Sequence, residues 1–418
     1  MDVIQDLEYR DLLFQVTDKE ELRKALEKPI TLYCGFDPTA DSLHVGNLLQ
    51  IVVLKRFQDA GHKPIALVGG GTGLIGDPSG RSTERQLNEQ NIVEAWGGKL
   101  KDQLSRFLNF SDGDNRALLA NNYDWLSSIS LISFLRDIGK HFPINYMLSK
   151  DSVTSRMDSG ISYTEFSYMM LQAYDYLNLF EKEGARLQIG GSDQWGNITA
   201  GLELIRRSGH EEQAFGLTMP LITNSDGQKL GKSMGNGIWL DPVKTTPYEF
   251  YQFWINTDDR DVIRFIKYFT FLSKEEIDRL EKEVKTAPEK RVAQKRLAEE
   301  LTTFVHGEDA LQQAIKITEA LFSGDIKSLS ASDIQQGFKD VPSYTVETKE
   351  DIGLIDLLVQ AGVSPSKRQA REDISNGAIY INGERQTEMG YIVTEQDRIE
   401  DQFILLRRGK KKYTLVQY

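Results

Sequence analysis

The 418-residue chain is long enough for two or three domains with substantial cores, and 40% hydrophobic with 27% charged residues is an ordinary globular composition. A net charge of −12 argues against indiscriminate nucleic-acid binding, no apolar run approaches a membrane span, and the acidic start Met1-Asp2-Val3-Ile4-Gln5-Asp6 does not read as a secretory signal. A single cysteine, Cys34, excludes internal disulfides and fits a reducing cytosol, and five scattered histidines show no metal-ligand spacing, so no protein-built metal site is expected.

The charge is uneven. From Val363 onward, ten basic and eight acidic residues give +2 and leave −14 on the rest. That asymmetry suggests a small nucleic-acid-facing module on an acidic body.

In chain order, Thr31 to Asn47 reads as a short apolar strand, a loop from Gly35 through Asp37-Pro38, and the first turn of a helix that Ser42 can cap. Val45, Leu48, Leu49, Val52, Val53 and Phe57 recur at helical spacing, Gly61 ends the helix, and Ile65-Ala66-Leu67-Val68 is a second strand. The unit is a right-handed parallel strand–helix–strand. His44-Val45-Gly46-Asn47 lies in the first helical turn, where free N–H groups and the helix dipole favour anions. Gly46 leaves room for a flat ligand, and His44 can donate to a phosphate. Alone, the tetrapeptide is equally a helix start with an incidental histidine.

Gly71-Thr72-Gly73-Leu74-Ile75-Gly76 matches the dinucleotide fingerprint. It follows the second strand rather than the first, and Asp77-Pro78-Ser79-Gly80 breaks any helix at once, which rejects a nicotinamide dehydrogenase. A loop whose backbone approaches a ligand is expected, with Arg81 and Arg85 either meeting phosphate charge or solvated. Asn91 to Phe110 and Ser127 to Phe142 read as amphipathic helices; the apolar face of the second (Leu131, Phe134, Leu135, Ile138) suits a subunit interface or a core.

In the helix from Tyr163 to Leu177, Tyr168, Gln172 and Asp175 share one face at i, i+4, i+7, and the rest is mostly apolar. A helix apolar nearly all round is buried, so its polar stripe lines a pocket, or else is a thin solvated face. Leu187 to Gly191 is another strand, ending in Ser192-Asp193-Gln194-Trp195-Gly196-Asn197; Asp193 there either meets a ligand or caps the helix Ile198 to Arg207. Asp226 to Asn236, with two lysines and three glycines, suits a cationic loop over polyphosphate, or a solvated hairpin tip.

Thr246-Pro247-Tyr248-Glu249 has the residues of a capping box, and helices follow to Phe322. The polar, irregular segment 323–350 reads as a linker. The last module has a helix capped by Ser364-Pro365 carrying Lys367, Arg368 and Arg371, an Asn382-Gly383 hairpin turn, and the basic run Arg407, Arg408, Lys410, Lys411, Lys412 beside Tyr413. RNA binding is the expectation for this module.

These motifs together resemble the bacterial-type tyrosyl-tRNA synthetases of class I, over nearly the whole chain. The resemblance rests on Tyr33-Cys34-Gly35-Phe36-Asp37-Pro38-Thr39, His44-Val45-Gly46-Asn47, Gly76-Asp77-Pro78-Ser79-Gly80, the Tyr168/Gln172/Asp175 stripe, Gly191 to Asn197, and Lys229-Leu230-Gly231-Lys232-Ser233. Asn47 replaces the second histidine of the family's His-Ile-Gly-His signature, and Gly231 replaces the serine of Lys-Met-Ser-Lys-Ser.

The resemblance implies an α/β fold. A Rossmann-type parallel-sheet catalytic domain (1–222) is followed by the signature loop and an all-helical domain (223–322), the linker (323–350), and a small α+β RNA-binding domain (351–418). It implies that Tyr33 and Asp175 bond the substrate phenol, that Asp77, Tyr168 and Gln172 hold its ammonium group, and that Gln194 lies near its carboxylate. Cys34 and Asp193 would contact the ATP ribose, with Gly35, Asp37, Gly46 and Gly191 also at the ATP. Thr39, His44, Arg81, Arg85, Lys229, Lys232 and Ser233 would surround its β- and γ-phosphates, with Asn47 donating to ATP. Arg206 and Arg207 join the C-terminal basic residues as implied tRNA contacts. Magnesium would arrive with ATP rather than in a protein cage. The implied partners are L-tyrosine, ATP and tyrosine tRNA, with a cytoplasmic homodimer and neither membrane nor DNA. Two rivals are a tryptophanyl-tRNA synthetase, against which Asp175 beside Tyr33 and the C-terminal module argue, and a non-enzymatic RNA-binding relative, against which Asp77, Asp193, Lys229 and Lys232 argue.

Overall fold

The structure is a computed structural model that describes residues 2–81, 83–230, 237–409 and 412–418. The chain divides into two compact units, Met1–Lys244 with Thr257–Leu297, and Thr245–Asn256 with Ala298–Tyr418.

The first unit is built on six strands: β1 (Gln15–Val16), β2 (Thr31–Phe36), β3 (Lys63–Val68), β4 (Leu118–Asn121), β5 (Ala185–Gly191) and β6 (Phe215–Met219), in the order β1-β6-β5-β2-β3-β4. All neighbours are parallel except β1, which runs antiparallel to β6. β2, β3, β5 and β6 are buried along most of their length, which is why they read as apolar runs rather than alternating strands. From β2 the chain steps outward to β3 and β4, then crosses to the other side of β2 for β5 and β6. The order therefore reverses between β2 and β5, where open sheets of this kind form a crevice beyond the strands' carboxyl ends.

The strands expected at Thr31, Ile65 and Leu187 are present. β4 and β6 went unread in the sequence: β4 has only four residues, and Gly216 and Thr218 interrupt the apolar run of β6. The helix expected over Ser127 to Phe142 is instead a short turn Leu131–Ser133, a wide π-type turn Phe134–Ile138 and a tight turn Gly139–His141. Pro143 ends it by forcing Phe142 out of helical geometry. Phe134 and Ile138 enter the core while Leu131, Ile132 and Leu135 stay exposed. Helix Tyr163–Glu183 starts at Ser162, whose hydroxyl caps Glu165, ends at left-handed Gly184, and is buried along much of its length, as its apolar circumference requires.

In the second unit, Thr246 and Glu249 form the expected capping box, with Pro247 opening the helix Pro247–Ile255. The segment 323–350 is not an irregular linker. Ile326, Leu329, Ile334 and Phe338 are buried against helix Glu308–Ser323 and the C-terminal strands, helix Ala331–Gly337 forms within it, and Ser343–Thr345 adds a parallel edge strand beside Lys412–Gln417. Its few apolar residues are widely spaced, which hides a buried face in a mostly polar stretch. The C-terminal sheet runs Glu384–Gln386, Ile379–Ile381, Phe403–Arg408, Lys412–Gln417, Ser343–Thr345. Asn382 and Gly383 both take positive φ (46° and 87°), as an Asn-Gly hairpin requires. Ser366, not Ser364, caps helix Lys367–Ser375; Ser364 is buried and donates to Asp373 at 2.8 Å.

Candidate active site

A cleft of about 450 Å³ opens at the carboxyl ends of β2 and β5. Its walls take Tyr33, Cys34 and Gly35 from β2, Asp37 and Thr39 from the loop beyond, and His44, Gly46 and Asn47 from the next helical turn. Asp77, Arg81 and Arg85 come from the loop after β3, Tyr168, Gln172 and Asp175 from one face of helix Tyr163–Glu183, and Gly191, Asp193, Gln194 and Lys229 from the far side. Every residue expected to meet tyrosine or ATP lines this one cleft, apart from Lys232 and Ser233, which lie outside the described residues.

At the inner end, Asp175 is buried and accepts from Asn122 Nδ2 at 2.9 Å and Trp125 Nε1 at 2.8 Å. Burial outweighs both donors and pushes its carboxyl up to about 8. The Tyr33 hydroxyl is buried without a protein partner among the described residues, and burial, with Asp175 close by, drives its ionisation well above the usual range. The side-chain oxygens of Gln172, Gln188 and Gln50, all in the cleft wall, are likewise buried and unpartnered. Buried polar groups normally find partners, so these atoms call for a polar ligand.

Asp37 and Asp77 stand further along the cleft. Asp37 accepts from the Tyr168 hydroxyl and from Thr72 Oγ1, each at 2.7 Å, and burial raises it to about 6. Asp77 accepts from Gln194 Nε2 at 2.7 Å and from the Ser79 N–H at 2.9 Å. Such a pair suits a ligand ammonium group.

The outer part is arranged for anions. His44, not Ser42, caps helix Val45–Asp59: its Nδ1 accepts from the Gly46 N–H at 2.9 Å, and Asn47 Oδ1 accepts from the His44 N–H at 3.2 Å. Ser42 instead turns to the Leu43 carbonyl and Gln103. With Nδ1 accepting, the neutral ring carries its proton on Nε2, the tautomer that donates to a phosphate. A Cβ on Gly46 would lie 2.5 Å from His44 Cε1, so the glycine also makes space for the ring. Arg85 Nε donates to the Asp77 carbonyl at 3.1 Å, and its backbone N–H is held by Glu165, itself in a buried ion pair with Arg156. Burial, then the adjacent Arg85, lowers Arg81, a crowding of cations that an anion relieves. Burial pushes the Cys34 thiol up to about 12, making it a polar contact rather than a nucleophile. Asp193 is no cap: helix Trp195–Arg207 starts after a tight turn at Gln194, without a side-chain cap bond. Burial and nearby Asp77 raise the Asp193 carboxyl while Lys229 pulls it down.

The glycine-rich loop meets the cleft at Gly69, Thr72 and Gly80 but not along its whole length. The Gly70 and Gly71 N–H groups are taken by the side chains of Asn121 and Asn122, and the loop's later residues Asp77, Ser79, Gly80 and Arg81 reach the cleft.

Comparison with known proteins gives the family. Residues 24–323 match the family model described as tRNA synthetases class I (W and Y), and residues 333–416 match that of the Tyrosine--tRNA ligase SYY-like C-terminal domain. The chain is 65% identical over 419 residues to the tyrosine--tRNA ligase of Bacillus caldotenax, covering 100% of each. The chain belongs to the class I tyrosine--tRNA ligases. Tyrosine--tRNA ligase 1 of Bacillus subtilis strain 168 is 64% identical over 418 residues, 100% of this chain and 99% of that protein. A C-terminally truncated mitochondrial tyrosyl-tRNA synthetase of Aspergillus nidulans has a similar structure, with TM-score 0.69 and 33% identity over 77% of this chain and 94% of that one.

The sequence reading of this ligase missed Asn122, Trp125, Thr72, Gln50 and Gln188. Asn122 and Trp125 follow the unread β4, whose Leu118-Leu119-Ala120 run before two asparagines was the available signal. The expected tRNA contacts divide into two kinds. Arg206 and Arg207 pair with Glu203, Lys367 with Asp356, and Arg408 binds Asp373 through Nε (2.9 Å) and Nη2 (3.0 Å). Arg368, Arg371 and Lys412 are exposed, and the Arg407 guanidinium stacks 3.8 Å from the Tyr380 ring centroid. Lys410 and Lys411 lie outside the described residues.

Proposed function

We propose that the cleft activates L-tyrosine with ATP to tyrosyl-adenylate and pyrophosphate, and that tyrosine is then transferred to the 3′-terminal adenosine of tyrosine tRNA. The observation that carries this reading is the unpartnered Tyr33 hydroxyl beside buried Asp175, at the end of a cleft whose other groups suit an ammonium and then phosphates. The substrate phenol takes the inner end, accepting from Tyr33 and donating to Asp175. Its ammonium lies among Asp77, Tyr168 and Gln172, with Asp37 held by Tyr168. The carboxylate lies near Gln194, facing the α-phosphate.

That carboxylate is a nucleophile at neutral pH and needs no general base. Its oxygen forms a bond to the α-phosphorus as the bond to the bridging oxygen of pyrophosphate breaks. The protein's task is alignment and charge stabilisation, for which His44, Thr39, Arg81, Arg85 and Lys229, with Lys232 and Ser233, are the assigned groups. Magnesium enters with ATP, bound by phosphate oxygens and water. The 2′-hydroxyl of the terminal adenosine then attacks the adenylate carbonyl and AMP leaves. Phenylalanine is rejected because Tyr33 and Asp175 would lose their partner, an effect for which tyrosyl-tRNA synthetase is itself the standard illustration. The C-terminal unit supplies the basic surface for tRNA. The working form is a cytoplasmic homodimer, a reading supported by the exposed apolar side chains between Leu131 and Tyr163.

Amino-acid-dependent ATP–pyrophosphate exchange, run separately with tyrosine, phenylalanine and tryptophan, tests the reading. Exchange with tyrosine alone is expected. Exchange with tryptophan overturns the assignment of Asp175, and none with any of the three overturns adenylation.

A further inference from the structure

Helix Asp259–Phe269 carries a buried acid and a base that touch no part of the cleft. Asp261, 3% exposed, accepts the backbone N–H of Ser225 at 2.9 Å. Its other oxygen takes the guanidinium of Arg264, and Arg264 Nη2 donates to the Thr223 carbonyl at 2.7 Å. One carboxylate and one guanidinium thus hold the main chain on both sides of Asn224.

The held segment is a tight hairpin. Asn224 Oδ1 accepts from the Gln228 N–H at 2.8 Å and from the Asp226 N–H at 3.2 Å. The Leu230 N–H donates to the Ile222 carbonyl at 3.0 Å, and Thr223 pairs across the hairpin with Lys229. Lys229 then faces the cleft. A lysine is a point charge on a four-carbon stem with costly rotamer freedom, so the help it gives a developing phosphate charge depends on how firmly its backbone is held.

We propose that Asp261 and Arg264 are positioning residues for adenylate formation, fixing the Thr223–Gln228 turn so that Lys229 is presented to the phosphates of ATP. This rests on the adenylation reading above. It accounts for a buried carboxylate and its partly exposed guanidinium partner, whose remaining hydrogen bonds go to a turn's main chain.

The test is a double-substitution cycle in the full chain, reading single-turnover tyrosyl-adenylate formation at saturating tyrosine, with tyrosine affinity measured separately by fluorescence titration. Asp261→Ala is expected to slow adenylate formation about 10- to 100-fold, the scale of a roughly 1 Å misplacement, and to leave tyrosine affinity unchanged within about twofold. In a Lys229→Ala background the same substitution is expected to slow the step less than about threefold, because the side chain it positions is gone. Equal slowing in both backgrounds, or a parallel loss of tyrosine affinity, overturns the proposal. If Asp261→Ala does not fold, Arg264→Met is carried through the same cycle with the same criteria. Exchange by the unsubstituted protein separates the two readings: its absence sinks adenylation itself, whereas its presence with an additive cycle sinks only the positioning role.

Discussion

The Tyr168 hydroxyl donates to the Asp37 carboxylate at 2.7 Å, joining the second turn of helix Tyr163–Glu183 to the loop that leaves β2. Asp37 is buried, with Thr72 as its other side-chain donor, and Asp77 close enough to raise it further. Tyr168→Phe therefore removes one of two bonds that hold a buried carboxylate beside the expected ammonium position. A loss of about 1–2 kcal/mol, or roughly 5- to 30-fold in tyrosine affinity, is expected. Equilibrium titration with tyrosine measures it, and an unchanged affinity would show that Tyr168 serves packing alone.

Asp175 and Asp37 are raised by burial to about 8 and about 6, against about 3.9 in an unfolded chain. Between these values the folded protein binds more protons than the unfolded one, so stability from these groups is full below about pH 4 and is lost as pH rises through 6 and then 8. Asp175→Asn removes the upper step. Thermal unfolding of the unliganded protein at pH 6 and pH 8.5 should show a smaller fall in Tm for the variant than for the parent. Identical falls would mean that Asp175 is ionised throughout.

Gly46→Ala places a Cβ 2.5 Å from Cε1 and 2.8 Å from Nδ1 of His44. The imidazole must leave its cap, taking Nε2 away from the phosphate position. Adenylate formation should slow by more than about tenfold while tyrosine affinity holds, since the tyrosine end is built from other elements. Rapid-quench kinetics with a parallel tyrosine titration would show the split; equal losses in both would point to a disturbed sheet.

Arg408 and Arg368 should fail differently. Arg408 ties strand Phe403–Arg408 to buried Asp373, which keeps only its Ser364 and Gln369 donors when the guanidinium is lost, so Arg408→Met should cost about 1–3 kcal/mol of C-terminal stability as well as tRNA charging. Arg368 is exposed, so Arg368→Ala should weaken charging at low tRNA concentration without altering unfolding. Denaturant unfolding beside aminoacylation assays distinguishes them, and identical unfolding of both variants would remove the structural role given to Arg408.

Leu131 and Ile132 are each 71% exposed, with Ile144, Met157 and Tyr163 also out in solvent nearby in sequence. A charge there should be harmless on a monomer and disruptive in a homodimer. Ile132→Glu is expected to halve the mass seen by light scattering at micromolar concentration. A parent protein that already runs as a monomer would end the dimer reading.

Legibility in the sequence followed the locality of the physics. The Thr246/Glu249 capping box, the Asn382-Gly383 turn and the Tyr168/Gln172/Asp175 stripe depend on residues a few positions apart, and each was readable. The cap at Val45 was misread because Ser42 is the better intrinsic capper, yet burial against Gln103 claims its hydroxyl and leaves the role to His44. The segment 323–350 looked like a linker because its stability comes from Ile317, Phe403 and Leu415, which lie elsewhere in the chain.

By itself, the sequence determined the strand–helix–strand start of the parallel core, the polar face of helix Tyr163–Glu183 and the motifs that carry the family, because helix periodicity, turn chemistry and motif composition act over short spans. Only the tertiary structure decided what those residues are paired with. Asn122 and Trp125 reach Asp175 from some 50 positions away, Asp37 meets Tyr168 across 131, and Asp261 holds Ser225 across 36. Buried charge must be satisfied by whatever donors the fold brings near, and that proximity is a property of the packed sheet and helices, not of any stretch of chain.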